Sequence, residues 1–435
     1  MMERLQRLVD THSVGVESER LVGVRAQGRE QFEALGFPTT RLEDWKYTST
    51  RQLREGEYVH DQAPFTADRL EVASKAIEGL ELPEAALRLV LINGRLVDSL
   101  STLGELQDGV RLLPLGDALQ EDGHELGRLV DTENQAFTAL NQAFLQDGLF
   151  LPVADGVVLN GMVQLVHISE PSEQAIVAHP RHLIVLGRNA RASLLQVELG
   201  GDGVTWSNGV TEIELADGAG LEHQLWQLAG VGAHQVNRIE VRQERNSHYG
   251  VHTMTLGSGW VRNDLGVGLD GPGAECHLKG LYLLGDGQHA DNHTTIHHRA
   301  SHCISRELYK GVLAGRSRGV FNGRVVVYKD AQKSDSDQGN HNLLLSDSAR
   351  VDTKPQLEIF ADDVKAAHGT TVGQLDSEAL FYMRSRGIPR DQAMRILTGA
   401  FAREIVDGIE DESLREFAVR LVNAQLLALQ KVSGE

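Results

Sequence analysis

The sequence has very little cysteine: Cys276 and Cys303 are the only two in 435 residues. Two thiols cannot build a disulfide framework, and they cannot by themselves hold a thiolate-bound zinc or an iron–sulfur centre. Proline is also scarce, at 10 residues, whereas glycine is abundant at 45. Glycine spread through strand-like sequence indicates many tight turns rather than disorder.

Positive charge is in short supply as well. The chain has 42 Lys and Arg against 61 Asp and Glu, a formal net charge of −19. Because neutralising phosphates requires clustered basic residues, we expect neither a nucleic acid partner nor an anionic membrane surface. No apolar run approaches the length that crosses a bilayer, and the first residues lack the apolar centre of a signal peptide. The sequence therefore predicts a cytoplasmic protein with no membrane partner.

Three regions follow one another along the chain. Residues 1–150 mix helical patterns with short strands and begin with a predicted amphipathic helix over 16–35. Residues 151–375 contain short apolar blocks and alternating apolar positions, punctuated by Gly, Asp and Asn, which is typical of strands. Residues 376–435 return to helical spacing. We therefore predict an N-terminal mixed domain, a β-rich core and a C-terminal helical domain.

A short phrase, a turn followed by a strand, recurs inside the β-rich region. Each copy has an alanine at the turn, and the residue two positions later is expected to point inward; the alanines are Ala190, Ala219, Ala274 and Ala349. The first two lie 29 residues apart and the next pair about twice that, which suits one coil of a solenoid. This repetition favours a right-handed parallel β-helix over a β-sandwich.

The C-terminal region predicts three helices. Asp376 or Ser377 can cap the first helix, which Gly387 is placed to end, and Pro389 suits the first turn of the second. We expect the second and third helices to be amphipathic. The predicted apolar stripes are Ala393, Ile396, Leu397, Ala400, Phe401 and Ile405, then Leu414, Phe417, Leu421, Ala424 and Ala428. Packing against the solenoid or against a partner would explain both stripes.

A histidine-rich segment raises the alternative of a free-standing, metal-dependent β-helix enzyme. On a helix, His289, His293 and His297 would share one face and suggest zinc, with His298 and His302 close by. The surrounding sequence is strand-like, however, and strands would instead arrange these side chains as polar ladders. No G-x-x-x-x-G-K-[ST] phosphate loop occurs, so we expect no ATP hydrolysis by this chain.

Residues 354–401 contain three phrases that resemble the C-terminal signature of the SufB/SufD family: P-x-L-E-I, D-V-K-x-x-H-G-x-T-V-G and F-Y-x-x-S-R-G-I. The segments 307–312 and 332–345 are similar to family phrases too. Residues 41–48, R-L-E-D-W-K-Y-T, resemble the opening of the SufD branch. The residues around His368 and Arg386 are also similar to the sequences of that branch.

This resemblance implies a right-handed parallel β-helix that serves as a non-catalytic scaffold in iron–sulfur cluster assembly by the SUF system. It implies a heterodimer with SufB through the end of the β-helix. The ATPase SufC is expected to dock on the C-terminal helical domain, 376–435. Self-association of the chain stays open.

The resemblance also suggests which residues act. His368 is expected to take part in cluster assembly, since imidazole can bind iron in an iron–sulfur centre. Some relatives have cysteine two positions earlier, where this chain has Ala366, so that position provides no ligand here. A structural role for His368 at a subunit contact is the alternative.

The residues expected to shape the SufC-docking region are Phe381, Tyr382, Arg386 and Gly387. The expected cofactor is a transient iron–sulfur cluster at the interface with SufB, with sulfur ligands supplied by that partner. A reduced flavin is expected only at the level of the whole complex, because nothing in this sequence identifies a flavin site.

Overall fold

A computed structural model describes residues 8–10, 19–118 and 126–433 of the chain. The strands coil into a β-solenoid of about 8 turns, between an N-terminal α/β region and C-terminal helices. The predicted β-helix flanked by these two regions is therefore confirmed.

The N-terminal region combines short helices with short strands. In chain order its elements are α1 Glu19–Leu35, α2 Arg51–Glu55, β1 Tyr58–His60, α3 Ala67–Gly79, β2 Leu87–Ile92, β3 Arg95–Leu96, β4 Gly104–Gln107, β5 Val110–Pro114, α4 Leu115–Ala118 and α5 Ala136–Ala143. The described part of the helix predicted over 16–35 is α1, and it ends as predicted before Gly36.

The solenoid strands follow one another with only turns between them. They are β6 Leu149–Val153, β7 Val163–Ser169, β8 Ala175–Ala178, β9 Arg181–Leu186, β10 Arg191–Gly200, β11 Thr205–Leu215, β12 Gly220–Gln227, β13 Ala233–Gln243, β14 His248–Thr255, β15 Trp260–Leu269, β16 Glu275–Leu284, β17 His289–His298, β18 Ile304–Leu313, β19 Arg318–Val327, β20 Asp335–Leu344, β21 Arg350–Ile359 and β22 Lys365–Gly373.

From β9 onward the strands alternate between two parallel sheets, so that each coil contributes one strand to either sheet. The even-numbered strands β10 to β22 form one sheet, which β7 and β2 extend, and the odd-numbered strands form the other. Asn263 of β15 pairs in register with Asn292 of β17, at a sequence separation of 29. This separation equals the repeat predicted from the alanines, and all four alanines are buried.

The solenoid interior is filled by the inward half of each strand. Because side chains alternate between faces, every second residue points inward and stacks on the equivalent residue of the next coil. In the middle coils this interior is apolar, with Leu221, Tyr249 and Cys276 as successive members of one stack. Each buried large apolar side chain contributes roughly 1.5–3 kcal/mol relative to exposure, so the stacks hold the coils together.

The C-terminal helices are α6 Ser377–Ser385, α7 Arg390–Val406 and α8 Glu412–Ser433. Helices α7 and α8 cover the outer face of the even-numbered sheet, where Phe417 stacks on Trp226 at 4.9 Å between ring centroids. Lys310 projects outward from β18 to donate to the Phe401 carbonyl at 3.1 Å and to pair with Glu404.

The predicted apolar stripes of α7 and α8 are partly wrong. Ile396, Ala400, Ala424 and Ala428 are exposed, whereas Met394, Ala402, Val422 and Leu426 are buried instead. Both helices offer apolar residues on more than one face, and the sheet beneath them selects the face that is buried.

The polar phrase 41–48 lies across the outer face of the odd-numbered sheet, as part of a segment over 39–48 that we call the strap. The Arg262 guanidinium of β15 donates to the Asp44 carbonyl at 2.8 Å and lies 4.4 Å from the Trp45 ring centroid. Further along, the Thr48 hydroxyl donates to the buried Asp291. The same Arg262 pairs with Asp291 at 2.6 Å, so one buried ion pair secures the strap.

Replacing Arg262 with Met should therefore destabilise the chain strongly. Asp291 would be left buried without its cation, at a cost of about 3–5 kcal/mol in the free energy of unfolding. Urea unfolding and limited proteolysis of the strap measure both consequences. Arg324→Met, which removes an exposed pair with Glu358, is the matched control and should cost less than about 1 kcal/mol. Equal losses in the two variants would contradict the role given to Arg262.

Several histidines are enclosed by the fold in neutral form. Burial lowers the pKa to about 4 for His223, His252, His289, His297 and His298. In the unfolded chain a histidine has a pKa near 6.5. Between pH 4 and pH 6.5 the unfolded chain therefore binds more protons than the folded chain. Stability contributed by the neutral rings is therefore complete above pH 6.5 and is lost as the pH falls towards 4.

We accordingly expect the free energy of unfolding to fall between pH 7.5 and pH 5, by up to about 2 kcal/mol per fully buried histidine. The urea midpoint should fall with it. His298→Asn should reduce this pH dependence, because the ring is buried between the Ser305 and Ser334 hydroxyls. His302→Asn, at an exposed turn position, should leave the pH dependence unchanged. A midpoint that is flat across this pH range would contradict the assignment.

Candidate functional site

The solenoid ends in two strands that carry no further coil in the described chain. Strand β22 is the last member of the even-numbered sheet and β21 the last of the odd-numbered one. The residues of β22 are exposed or half-buried along the whole strand, in contrast to the buried middle coils. Apolar side chains are exposed here as well, among them Phe360 at 61% and Val372 at 47%. We call this surface the open end.

His368 lies on β22 at the open end. It is paired in register with Gln338 of β20, which in turn is paired with Glu307 of β18. Residues 336, 338 and 340 face the interior, so strand alternation puts His368 on the inward face of its strand. His368 is nevertheless exposed because no coil covers it. Ala366, two residues earlier, occupies the neighbouring inward position beside Ser336.

The interior beneath His368 is polar rather than apolar. Gln338 Nε2 donates to Glu307 Oε2 at 2.7 Å, and both residues are almost fully buried. Burial raises the pKa of Glu307 to about 7, and the neutral side chains of Thr294 and Gln338 only partly oppose it. A carboxyl group that changes charge near neutral pH thus lies inside the last coils.

An amide and phenol network lies beside this carboxyl group. Asn342 Nδ2 donates to Asn340 Oδ1 at 2.8 Å, and Asn340 Nδ2 donates to the Tyr282 hydroxyl at 3.2 Å. That hydroxyl in turn donates to Asn342. A side chain at Gly311 would collide with the Tyr282 ring and with Asn342, so glycine is required between them. The phrase 307–312 therefore places Glu307, Tyr309 and Gly311 inward, and Lys310 outward towards α7.

Both cysteines are buried. Burial raises the pKa of the Cys276 thiol well above its usual value, and Glu307 raises it further. Burial also raises the pKa of Cys303. Because the thiolate is the form that binds metal, neither thiol is prepared as a ligand in this arrangement.

The histidine-rich segment forms strand β17 and the turn after it, and the strand divides its side chains between two faces. His289, His293 and His297 face outward, where they contact Thr48, Asp291 and Tyr328 respectively. His298 faces inward, and His302 lies in the following turn with a positive φ. Within the part of the chain that the structure describes, no three His, Cys, Asp or Glu residues are grouped so as to hold a metal ion.

The predicted docking residues lie on or just after α6, which starts a few residues beyond β22. Asp376 caps this helix by accepting from the Glu378 amide at 2.8 Å. Phe381 and Tyr382 project into solvent, with 72% and 60% of their surface exposed. The Arg386 guanidinium lies 5.2 Å from the Tyr382 ring centroid.

Gly387 adopts a φ of 84° directly after α6, and its amide donates to the Arg384 carbonyl at 3.0 Å. This left-handed conformation ends the helix and turns the chain towards α7, as the sequence predicts.

Helices α7 and α8 enclose an apolar groove of about 520 Å³ on the side away from the sheet. Its lining includes Ile396, Ala400 and Leu427, all exposed. Part of the stripe predicted on α7 therefore lines this groove instead of packing on the solenoid. Neither the groove nor the burial of Glu307 is predicted by the sequence patterns above, although a glutamate at an inward strand position is a detectable signal.

None of the helices in the described ranges combines the length and the hydropathy that crossing a lipid bilayer requires.

Comparison with known proteins covers most of the chain. Residues 167–401 match the family described as the SufBD core domain of SUF system FeS cluster assembly, and residues 3–165 match the SufBD protein N-terminal region. The chain is 29% identical to the iron–sulfur cluster assembly protein SufD of Escherichia coli, over 92% of both chains. It is 28% identical to an iron–sulfur cluster assembly SufBD family protein of Synechocystis, over 95% of this chain and 93% of that one.

Proposed function

The chain belongs to the SufBD family of iron–sulfur cluster assembly proteins and is SufD-like, and from this premise we propose that it is a non-catalytic scaffold that pairs with SufB and docks the ATPase SufC. The observation that carries the proposal is the open end of the solenoid. There the histidine singled out by the sequence is exposed on the last strand, above a polar interior.

Pairing with SufB is supported by the state of both terminal strands. An uncovered sheet edge presents backbone groups that a further strand can bind, and a second solenoid can extend both sheets at once. The exposed side chains of Phe360 and Val372 would be buried by such a partner. A second copy of the same chain could use the same edges, so self-association would compete with this pairing.

A role for His368 in cluster assembly is supported by its exposure and by its inward position at the rim. Iron and sulfide are the cargo of the assembly, and the imidazole can donate one nitrogen ligand to iron. Ala366 offers no ligand, and the two thiols of this chain are buried in protonated form. The remaining ligands would therefore come from SufB, and the transient cluster would then lie at the interface between the two subunits.

Docking of SufC on the C-terminal helices is supported by exposed aromatic surface. Phe381 and Tyr382 are large side chains held in solvent on α6, and such aromatic residues often dominate protein interfaces. Gly387 and Arg386 fix the corner that presents them. Motion of SufC during ATP hydrolysis would be transmitted through α7 and α8, which pack directly on the even-numbered sheet. The reduced flavin remains an expectation for the whole complex.

His368→Ala should leave the assembly with SufB and SufC intact but should remove most of its iron and sulfide. The reason is that the exposed imidazole contributes a ligand and no packing. Anaerobic co-purification followed by iron and sulfide analysis measures both properties. Thr371→Ala, on the opposite face of the same strand, is the matched control and should load normally. Normal loading of His368→Ala would show that His368 is structural, and failure of the wild type to form a complex would contradict the scaffold role.

Replacing both Phe381 and Tyr382 with Ala should weaken retention of SufC by at least about tenfold, as expected for interface anchors. The melting temperature should not change, because both side chains are exposed. Capture of SufC on the immobilised chain measures the effect. Val72→Ala, which shortens an equally exposed apolar residue on α3, should bind SufC normally. Undiminished capture by the double variant would mean that SufC docks elsewhere.

A further inference from the structure

Glu307 is a buried carboxyl group without a charged partner in its immediate surroundings. The side chains that lower its pKa, Thr294 and Gln338, are both neutral. Cys276 and Tyr309 also face it, and its charge raises the pKa of both, so they offer it no positive charge. Burying a carboxylate without a counter-charge is costly, and such groups normally neutralise or coordinate a metal.

Two acceptor oxygens at this place are buried and poorly satisfied. Among the described residues, Glu307 Oε1 and Gln338 Oε1 have no hydrogen-bond partner of good geometry, although the Thr294 hydroxyl lies close enough to the Glu307 carboxyl group to lower its pKa. The two side chains are 4% and 1% exposed. The residues are paired in register on adjacent strands, so they belong to one inward stack. Leaving a buried oxygen without a full set of partners is costly, and two such oxygens could recover this cost by binding the same cation.

We propose that Glu307 and Gln338 form an internal binding site for one divalent metal cation, which enters through the open end of the solenoid past His368. Carboxylate and amide oxygens are hard donors, which suits ions such as Mn²⁺, Fe²⁺ or Mg²⁺ better than a thiolate-seeking metal. Water molecules would complete the coordination. The site lies in this chain alone and does not require His368 to be a cluster ligand.

The Gln338 amide nitrogen lies where the cation would contact the Glu307 carboxylate. Its Nε2 donates to the Glu307 carboxylate at 2.7 Å. Rotation of the amide about its last torsion exchanges Nε2 for Oε1 and presents an oxygen where the donor stood. The amide occupies space that is available only because residue 323 is glycine, since a side chain there would collide with Gln338. The rearrangement therefore begins with the rotation of one side chain.

The distance from the rim of the open end to the site is short. His368, Gln338 and Glu307 lie on three consecutive strands of one sheet, so the carboxyl group is two strand spacings, roughly 10 Å, below the rim. A partner solenoid at the open end would cover this path. On the function proposed above, the cation would enter before the partner docks and would then be held next to the interface.

The full-length chain, stripped of metal and without partners, should bind about one Mn²⁺, measured by loss of the electron paramagnetic resonance signal of the free ion. Glu307→Gln, which keeps the shape of the side chain, should lower the affinity at least tenfold. Asp337→Asn removes an exposed acidic group from the neighbouring outward position and should change nothing.

Two further variants keep the result interpretable. Gln338→Glu adds a second carboxylate to the site and should raise the Mn²⁺ affinity about tenfold, a gain that misfolding cannot produce. His368→Ala should bind Mn²⁺ normally even if it fails in cluster assembly, which separates this site from the proposed ligand role. Absence of binding at millimolar Mn²⁺, or equal affinity in Glu307→Gln and Asp337→Asn, would overturn the proposal.

Discussion

Successive coils pair in parallel and in register, and most other features of the molecule follow from that pairing. Each coil returns the chain to the same side of the solenoid, one strand further along the axis, so residues distant in sequence become neighbours in a stack. Strand alternation then decides whether a stack lies inside or outside the solenoid. The apolar core, the outward contacts of the strap and the polar chamber below His368 are three results of this single geometry.

The interior changes character along the solenoid axis. In the middle coils, stacks of leucine and other apolar residues stabilise the fold by burial alone. Towards the open end the inward positions of β18 and β20 are occupied by Glu307, Gln338, Asn340 and Asn342. The hydrogen bonds of Glu307 and Gln338 only partly replace those made with water. Burying polar groups in this way costs stability. A polar interior beneath an uncovered edge is easier to understand as a site for cargo or partner than as part of the core.

The two flanking regions act on different faces of the same scaffold. The strap is fixed to the odd-numbered sheet by Arg262 and Asp291, whereas α7 and α8 cover the even-numbered sheet through contacts such as Phe417 on Trp226. The exposed aromatic surface of α6 lies next in sequence to β22. Forces applied to the C-terminal helices can therefore reach the sheets whose last strands form the open end.

Much of the fold follows from sequence alone, because local rules decide it. The corner alanines, the alternating strands and the glycine that ends α6 act within a few residues, and they indicated the solenoid and its helical end. Membership of the SufBD family also followed from the phrases in 354–401. The apolar faces of α7 and α8 could not be assigned in this way, since Ile396 and Met394 are equally apolar and only the sheet determines which one is buried.

The site depended on tertiary structure in a stronger sense. Glu307, Gln338 and His368 come from three successive coils. They are in register because the turns between their strands have the required lengths. One residue more or less in a turn would make the Gln338 side chain point outward. The same alternation separated His298 from His293 and His297, which spacing alone had grouped. Sequence determined which residues are available, and the register between coils decided which of them meet, because a period of two converts each added residue into a change of face.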